Sequence, residues 1–486
     1  MTSALLWFRR DLRLTDNPAL QAALTHCDRL LPVYIHAPHE DSPWQPGAAG
    51  NWWLDRSLRE LDRSLRERGS RLIIRQGSSQ AILQGLIERN QVSHLFWNRR
   101  YEPATRSRDT EIKASVKRLS VHCQSYNASL LFEPWQIETA QQTPYKVFSA
   151  FWRACMKSGL AAGNPKPAHH GFPAVDTRIE TLSIDQLGLK PAIPWDEGLK
   201  ARWRPGEQGA LLSLDRFLDS ALEAYAVERD IPGIEGTSSL SPHLHFGEIG
   251  PAQILRGIQL ATGTELTAME GDTGPAVFLK ELGWREFAHH LLYHFPHTSE
   301  HPLDPRFQHF PWQSDDASAI HLKAWQQGNT GIPIVDAGMR ELWHTGWMHN
   351  RVRMIVASFL TKNLGISWQQ GARWFWDALV DADLANNTLG WQWTAGCGAD
   401  AAPFFRIFNP VRQSERFDPQ GHYLRRWLPE LARLSDDQIH APWKAKPEEL
   451  RRAGIELGKS YPLPIVDLKQ SRQQALINWK IIRELS

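Results

Sequence analysis

"NWWLDRSLRELDRSLRERGSRLIIRQ", residues 51–76, contains a helix, a stop and a strand in that order. Apolar residues recur at three- and four-residue spacing through 51–69, the pattern of a helix with one buried face. Gly69 is placed to end that helix, because glycine enters the left-handed region without steric cost. "RLIIRQ" (71–76) then has the form of a short buried strand, as do "ALLWF" (4–8), "LLPVYIH" (30–36) and "HLFWN" (94–98). "SQAILQGLIERN" (79–90) supplies a second helix. Strand, helix, strand in repetition predicts a parallel sheet with helices on both faces, a Rossmann-like α/β domain over residues 1–135. The GxGxxG dinucleotide fingerprint is missing from it.

The pattern changes further along. Residues 136–206 are read as a connector, on stretches such as "SGLAAGNPKPAHHGFPAV" and "KPAIPWDEG", rich in Gly, Pro and Lys. From 207 to 486 the two-residue alternation vanishes. "LLSLDRFLDSALEAYAVERD", "AVFLKELGWREFAHHLLYHF" and "NRVRMIVASFLTKNLG" carry helical periodicity, so an all-helical second domain is expected.

Composition narrows the class. The 486 residues suffice for two or three domains, and 42% hydrophobic with 22% charged residues is ordinary globular usage. No apolar run is long enough for a membrane span, and the N-terminal apolar patch is too short for a signal peptide. A cytoplasmic location, no membrane partner and a monomer are the expectations. Cys27, Cys123, Cys155 and Cys397 have no CxxC spacing, which argues against a disulfide framework and a zinc site. The formal net charge is only +2, so nucleic-acid binding needs a local basic patch. The chain holds 22 Trp against 8 Tyr, an inverted ratio.

Five constellations stand out. "EGTSSLSPHLHFGEI" (235–249) offers hydroxyls and free backbone N–H groups before a helix, which suits phosphates, or a simple helix cap. In "KELGWREFAHH" (280–290), Glu281, Trp284 and Arg285 share a helical face, which suits a nucleobase-like ligand or a solvated Glu–Arg pair. In "GWMHNRVRM" (346–354), Asn350, Arg353 and Met354 share a face that is equally that of an amphipathic helix. "DADLANNTLGWQW" (381–393) crowds acids, amides and indoles into a stretch that should pack. Its buried carboxylates need partners, with Arg353 available to Asp381 or Asp383. "PFFRIFNPVRQSERFDPQGHYLRR" (403–426) is Arg-rich with interleaved aromatics, a surface for a nucleic-acid backbone or a solvated face.

Together with "LLWFRRDLRLTDNPAL", "TGIPIVDAGMREL" and "GADAAPFFRIFNP", these motifs resemble the photolyase/cryptochrome flavoproteins. The resemblance covers nearly the whole chain and is closest to class I cyclobutane pyrimidine dimer photolyases. It implies an antenna domain, a connector and a helical FAD- and DNA-binding domain, with UV-damaged DNA as partner. It further implies flavin contacts or supports at Tyr225, Thr237, Ser238, Ser239, Leu240, Ser241, Phe278, Trp347, Asn350, Arg353, Asp381 and Asp383. Asn387 resembles the amide beside flavin N5. Trp391, Trp368 and Trp312 resemble the tryptophan chain that passes electrons inward. Glu281, Trp284, Arg285, Met354 and Trp393 resemble lesion-pocket residues, and Arg229, Arg351 and Arg406 resemble DNA-backbone contacts.

The implied reaction is light-driven. The dimer is flipped from the duplex, excited reduced FAD donates one electron, the cyclobutane ring splits and the electron returns. Catalytic roles fall to Glu281, as hydrogen-bond partner of the dimer, and to Asn387. The two indoles of "LGWQWTAG" (389–396) divide accordingly, Trp391 as electron donor and Trp393 as pocket wall.

Two readings compete within the family. Cryptochrome photoreceptors often carry a long C-terminal extension and another residue at the position of Asn387. (6-4) photolyases use paired histidines where this chain has Asn350 and Met354, with His349 out of register on a helix. A flavin oxidoreductase that uses no light lacks support from any nicotinamide fingerprint. For the antenna chromophore, methenyltetrahydrofolate is expected, with a deazaflavin as alternative. Glu102 in "NRRYEPA" resembles a folate contact, and 295–302 supplies no matching partners.

Overall fold

The computed structural model describes residues 2–160, 166, 171–176, 178–401 and 405–484. Five parallel strands form one sheet in the order β3-β2-β1-β4-β5: β1 (Ser3–Phe8), β2 (Arg29–His36), β3 (Ile73–Gln76), β4 (His94–Asn98) and β5 (His122–Tyr126). Trp7 of β1 pairs with Val33 on one side and Trp97 on the other. Helices α1 (Pro18–His26), α2 (Ala48–Arg66), α3 (Ser79–Asn90) and α4 (Pro103–Arg118) make the crossovers. The four strands read from apolar runs are present. The fifth, "HCQSY", escaped that reading because an edge strand in a polar sequence carries no apolar run. Helix α4 escaped as well, since only a thin stripe that includes Ile112 and Val116 is buried.

The opening stretch does more than build the sheet. Helix α2 ends at Arg66, and Gly69 closes the end at φ +83° while Ser70 N–H donates back to Leu65 O at 2.9 Å. Its two adjacent tryptophans are fully buried. Trp52 Nε1 donates to Asp196 and Trp53 Nε1 to Glu248, each at 2.8 Å. Trp53 also stacks on Phe246 at 6.0 Å. These partners lie beyond the sheet, so α2 joins the α/β unit to the helical half.

The expected connector is more structured than its composition implies. Helix α5 (Phe148–Ser158) and helix α6 (Glu197–Arg202) both fall within it. Phe151 and Cys155 of α5 pack with Phe287 and Leu291. Part of the Gly/Pro-rich run, 161–165 and 167–170, lies outside the described residues. The helical half follows: α7 (Glu207–Ser220), α8 (Tyr225–Glu228), α9 (Ser241–Phe246), α10 (Pro251–Thr262), α11 (Gly274–His294), α12 (Asp316–Gln326), α13 (Pro333–Thr345), α14 (Asn350–Ser358), α15 (Trp368–Ala378) and α16 (Leu384–Ala395), then shorter helices up to a last one at Leu468–Arg483. Among the described residues, the only extended pairing beyond β5 is an isolated bridge, Leu457 to Tyr461. No described helix is long and apolar enough to cross a membrane.

Helix α11 locks the two halves together. Its buried Glu286 accepts the N–H groups of Leu131 (2.9 Å) and Phe132 (3.1 Å), on the segment that leaves the sheet. Arg285 donates to Ser129 O at 2.6 Å. Burial pushes the Glu286 carboxyl up to about 7 from an ordinary 4.5, against the opposing pull of Arg285 and the two N–H donors. A carboxyl whose folded pKa is raised contributes stability that is complete below 4.5 and is lost as pH rises through about 7. Glu286→Gln keeps an acceptor for the N–H groups and removes the titration. Thermal melts are therefore expected to fall less steeply for Glu286→Gln than for the wild type between about pH 5 and 7.5. Parallel pH slopes would show that Glu286 is not the titrating group.

Candidate functional site

Helix α16 sets the geometry of the site. Asp383 is its N-cap and accepts the Asn386 N–H at 2.9 Å. The Asp383 carboxylate also faces His289 Nε2 at 3.5 Å and His245 Nδ1 at 3.9 Å. The two histidines hold it well below the ordinary carboxylate range although burial opposes them. His289 is drawn upward by Asp383, whereas burial drives His245 down to about 4. Asp383 thus orders the start of α16 with both histidines facing its charge.

One turn in, Asn387 Nδ2 donates to Ala372 O of α15 at 3.1 Å. Trp391 follows a further turn on the same face and is buried. Gly371 of α15 makes room for it, since a Cβ there would approach the Trp391 ring to 2.0 Å. Phe375 and Trp325 meet the Trp391 ring edge-on at 5.0 and 6.2 Å. Trp393 lies about 200° round the helix from Trp391. It is half-buried, with the exposed Arg406 guanidinium 5.1 Å over its ring. The two indoles of "WQW" therefore face opposite ways. Trp368, the first residue of α15, shares the buried cluster of Trp391, and half-buried Trp312 packs against that cluster with Phe310 at 4.3 Å.

A polar cradle lies nearby. Arg353 donates to Asp381 at 2.9 Å, the pairing that the sequence allowed. The same guanidinium donates to Met348 O at 2.7 Å and lies 5.8 Å over Trp347. Trp347 Nε1 donates to Ser241 Oγ at 3.3 Å. Ser239 is held at φ +54°, Ser238 Oγ accepts the Leu240 N–H, and the α9 N-terminus has no side-chain cap. Thr237 is half-buried beside them. Arg202 was missed by the sequence reading. Its guanidinium donates to Ser239 Oγ at 3.3 Å and lies 5.9 Å over Trp347. It sits in the "LKARWRPG" end of the expected connector, where nothing local marks it. Tyr225 and Phe278 close the apolar side, edge to face at 5.1 Å. Hydroxyls, an uncapped helix start, two guanidiniums and an indole are a donor set that fits a flavin nucleotide with its phosphates.

The residues expected at the lesion form a mouth beside this cradle. Arg229 Nη1 donates to Glu281 at 2.5 Å, and Arg351 Nη2 donates to Asp230 at 2.6 Å. Burial raises the Glu281 carboxyl and Arg229 opposes that rise. Arg229, expected at the DNA backbone, is thus engaged inside the mouth. Trp284 stacks on Phe148 at 3.7 Å with the planes 10° apart. Arg285 shares the helix face of Glu281 and Trp284, but its side chain turns into the seam between the two halves, onto Ser129 O. Spacing fixes the face of a long side chain, not its partner. Asn350 is exposed and Met354 half-buried on α14. His349 stands outside the helix as its N-cap, accepting the Arg351 N–H at Nδ1 (3.2 Å), and burial drives it down to about 4.

A separate cavity of about 70 Å³ opens at the ends of β1 and β2, lined by Arg9, Tyr34, Arg100, His245 and Trp376 among others. Glu102 borders this region and is bound by Arg100 at 2.9 Å and Arg10 at 3.3 Å. Among the described residues no cluster of His, Cys, Asp and Glu is arranged to hold a metal ion.

Comparison with known proteins places this geometry. A family model for DNA photolyase matches residues 4–173, and one for the FAD binding domain of DNA photolyase matches 278–480. A deoxyribodipyrimidine photo-lyase of Agrobacterium fabrum is 45% identical over 483 residues, covering 99% of this chain and 98% of the relative. Cryptochrome-1 of Arabidopsis thaliana is 38% identical over 480 residues, covering 96% of this chain and 69% of the relative. The crystal structure of a bacterial class III photolyase from Agrobacterium tumefaciens superposes with a TM-score of 0.94 at 42% identity, over 100% of this chain and 98% of that one. The expected class I kinship has no counterpart in that neighbour. The chain belongs to the photolyase/cryptochrome flavoprotein family.

Proposed function

We propose that this protein is a light-driven DNA repair enzyme that splits cyclobutane pyrimidine dimers. The observation that carries the reading is the division of α16: Asn387 and Trp391 on one face, Trp393 turned toward the other. Bound FAD, in its reduced state, supplies the electron on absorbing light. The chain's residues do the rest. Ser239, Ser241, Arg202 and Arg353 hold and orient the nucleotide, and Asn387 presents its amide to the flavin ring. Trp284 and Trp393 offer stacking faces to the flipped bases, a contact worth about 1–3 kcal/mol per base. Glu281 presents a carboxyl whose value to the dimer rises as negative charge develops on the lesion. The exposed Arg406, on a chain of net charge +2, is suited to a DNA phosphate.

Asn350 and Met354 support the cyclobutane dimer over the (6-4) photoproduct, since the helix face holds no histidine pair. The antenna chromophore is a different matter. Methenyltetrahydrofolate, with a deazaflavin as the alternative, is the chromophore that the resemblance at Glu102 suggests. Glu102 is already held by two arginines. A folate bound there would have to draw Glu102 from one of these arginines.

Two variants separate electron supply from lesion contact. Trp391→Phe is expected to reduce photoreduction of oxidised flavin to a small fraction of the wild-type rate. Repair by chemically reduced enzyme should be spared. Photoreduction at the wild-type rate would remove Trp391 from the path.

In the mouth, Trp284→Ala is expected to weaken binding of a dimer-containing oligonucleotide by about five- to a hundredfold, from the loss of one stacking face. Glu281→Ala is expected to leave binding closer to normal and to lower the number of dimers split per absorbed photon. Single-lesion oligonucleotides under blue light check both. Repair of the (6-4) substrate alone would overturn the lesion assignment, and repair of neither lesion would favour a signalling photoreceptor.

A further inference from the structure

The mouth carries an acid that the repair reading leaves without a role. Asp230 lies just after α8, between the two arginines of the mouth. Its Oδ2 accepts from Arg351 Nη2 at 2.6 Å, and its Oδ1 faces Arg229 Nε at 3.9 Å with no hydrogen-bond partner. Arg229 in turn holds Glu281 at 2.5 Å. Four charges from three elements therefore alternate across the mouth: Glu281, Arg229, Asp230, Arg351. Buried His349 stands beside them and feels Asp230 more strongly than any other charge.

An acid here is costly for simple DNA attraction. Phosphate affinity grows with the number of free cations, and Asp230 neutralises one of them. In exchange it fixes geometry. Without Asp230, Arg351 loses the carboxylate it is bonded to, and Arg229, still bonded to Glu281 at 2.5 Å, loses the anion that draws it toward Arg351. We propose that Asp230 is a positioning residue: it sets the spacing of Arg229 and Arg351, holds Glu281 through Arg229, and exchanges non-specific DNA affinity for selectivity toward the lesion. The proposal rests on the reading of this mouth as the lesion site.

The test uses the full-length, FAD-loaded, chemically reduced protein with two duplexes, one undamaged and one carrying a single cyclobutane dimer. Asp230→Asn is expected to bind undamaged DNA several-fold more tightly, with a salt dependence steeper by about one phosphate contact. Its preference for the dimer duplex should fall about tenfold, and dimers split per photon should drop. Asp230→Glu, which keeps the charge, should restore most of the preference. The double variant with Arg351→Gln should show non-additive binding to undamaged DNA, because the two side chains act as a pair.

Unchanged preference in Asp230→Asn overturns the proposal, as does additivity with Arg351→Gln. Equal weakening toward both duplexes, with loss of bound FAD and a lower melting temperature, assigns Asp230 a merely structural role and overturns it too. If the wild type neither prefers nor splits the dimer, the repair reading fails on its own. Tighter undamaged-DNA binding and coupling to Arg351 still decide whether Asp230 restrains the two cations.

Discussion

The structure depends on one buried carboxylate. Glu286 of α11 accepts two backbone N–H groups from the segment that leaves the sheet, at 2.9 and 3.1 Å. His290 and His294 hold Pro134 O from the next turns at 3.1 and 3.0 Å, and Arg285 takes Ser129 O. All four side chains fasten the exit of the α/β unit to the helix whose earlier turns carry Glu281 and Trp284. A shift of the sheet against the helical half would therefore reach the mouth directly. The cost is a carboxyl whose burial favours its protonated form, offset by N–H donors aimed at the ionised one.

A second constraint acts along α16. A helix turns about 100° per residue, so side chains two positions apart face nearly opposite directions. That rule makes Trp391 and Trp393 unable to share one task. Gly371 then fixes which way the helix is rotated, because only a residue without Cβ admits the Trp391 ring against α15. Asp383, faced by His289 and His245, fixes where the helix begins. With start and rotation set, Asn387 reaches Ala372 O and has little freedom left.

Legibility in the sequence follows the range of the interaction. Strand and helix periodicities are local, so β1 to β4, α2 and the helical half were readable, whereas "HCQSY" and α4 hid behind polar composition. Asp381 with Arg353 was readable because a buried carboxylate demands a cation and the choice was short. Arg202 and Asp230 were not, since their partners lie at distances that no spacing rule covers: Arg202 meets Ser239, and Asp230 meets Arg351 across 121 positions. Arg285 shows the limit from the other side. Its face was readable, but the carbonyl that captures it belongs to the other half of the molecule.

The abundance of tryptophan divides along an electrostatic line. A cation over an indole opposes removal of an electron from it. A lone charge 5 Å away costs about 3 kcal/mol at an effective dielectric constant of 20, and a carboxylate paired with that charge cancels much of it. Trp7 lies under Arg9 (4.7 Å) and Arg108 (5.0 Å), Trp52 under Arg56 (4.0 Å), Trp347 under Arg202 and Arg353, and Trp393 under Arg406. Trp391 has Phe375 and Trp325 as ring neighbours, and Trp312 has Phe310. An uncharged aromatic neighbour leaves the indole easier to oxidise than a guanidinium does. On the path proposed above, a positive charge carried outward along Trp391, Trp368 and Trp312 would avoid the cation-covered rings, and Arg406 would disfavour Trp393 as a branch.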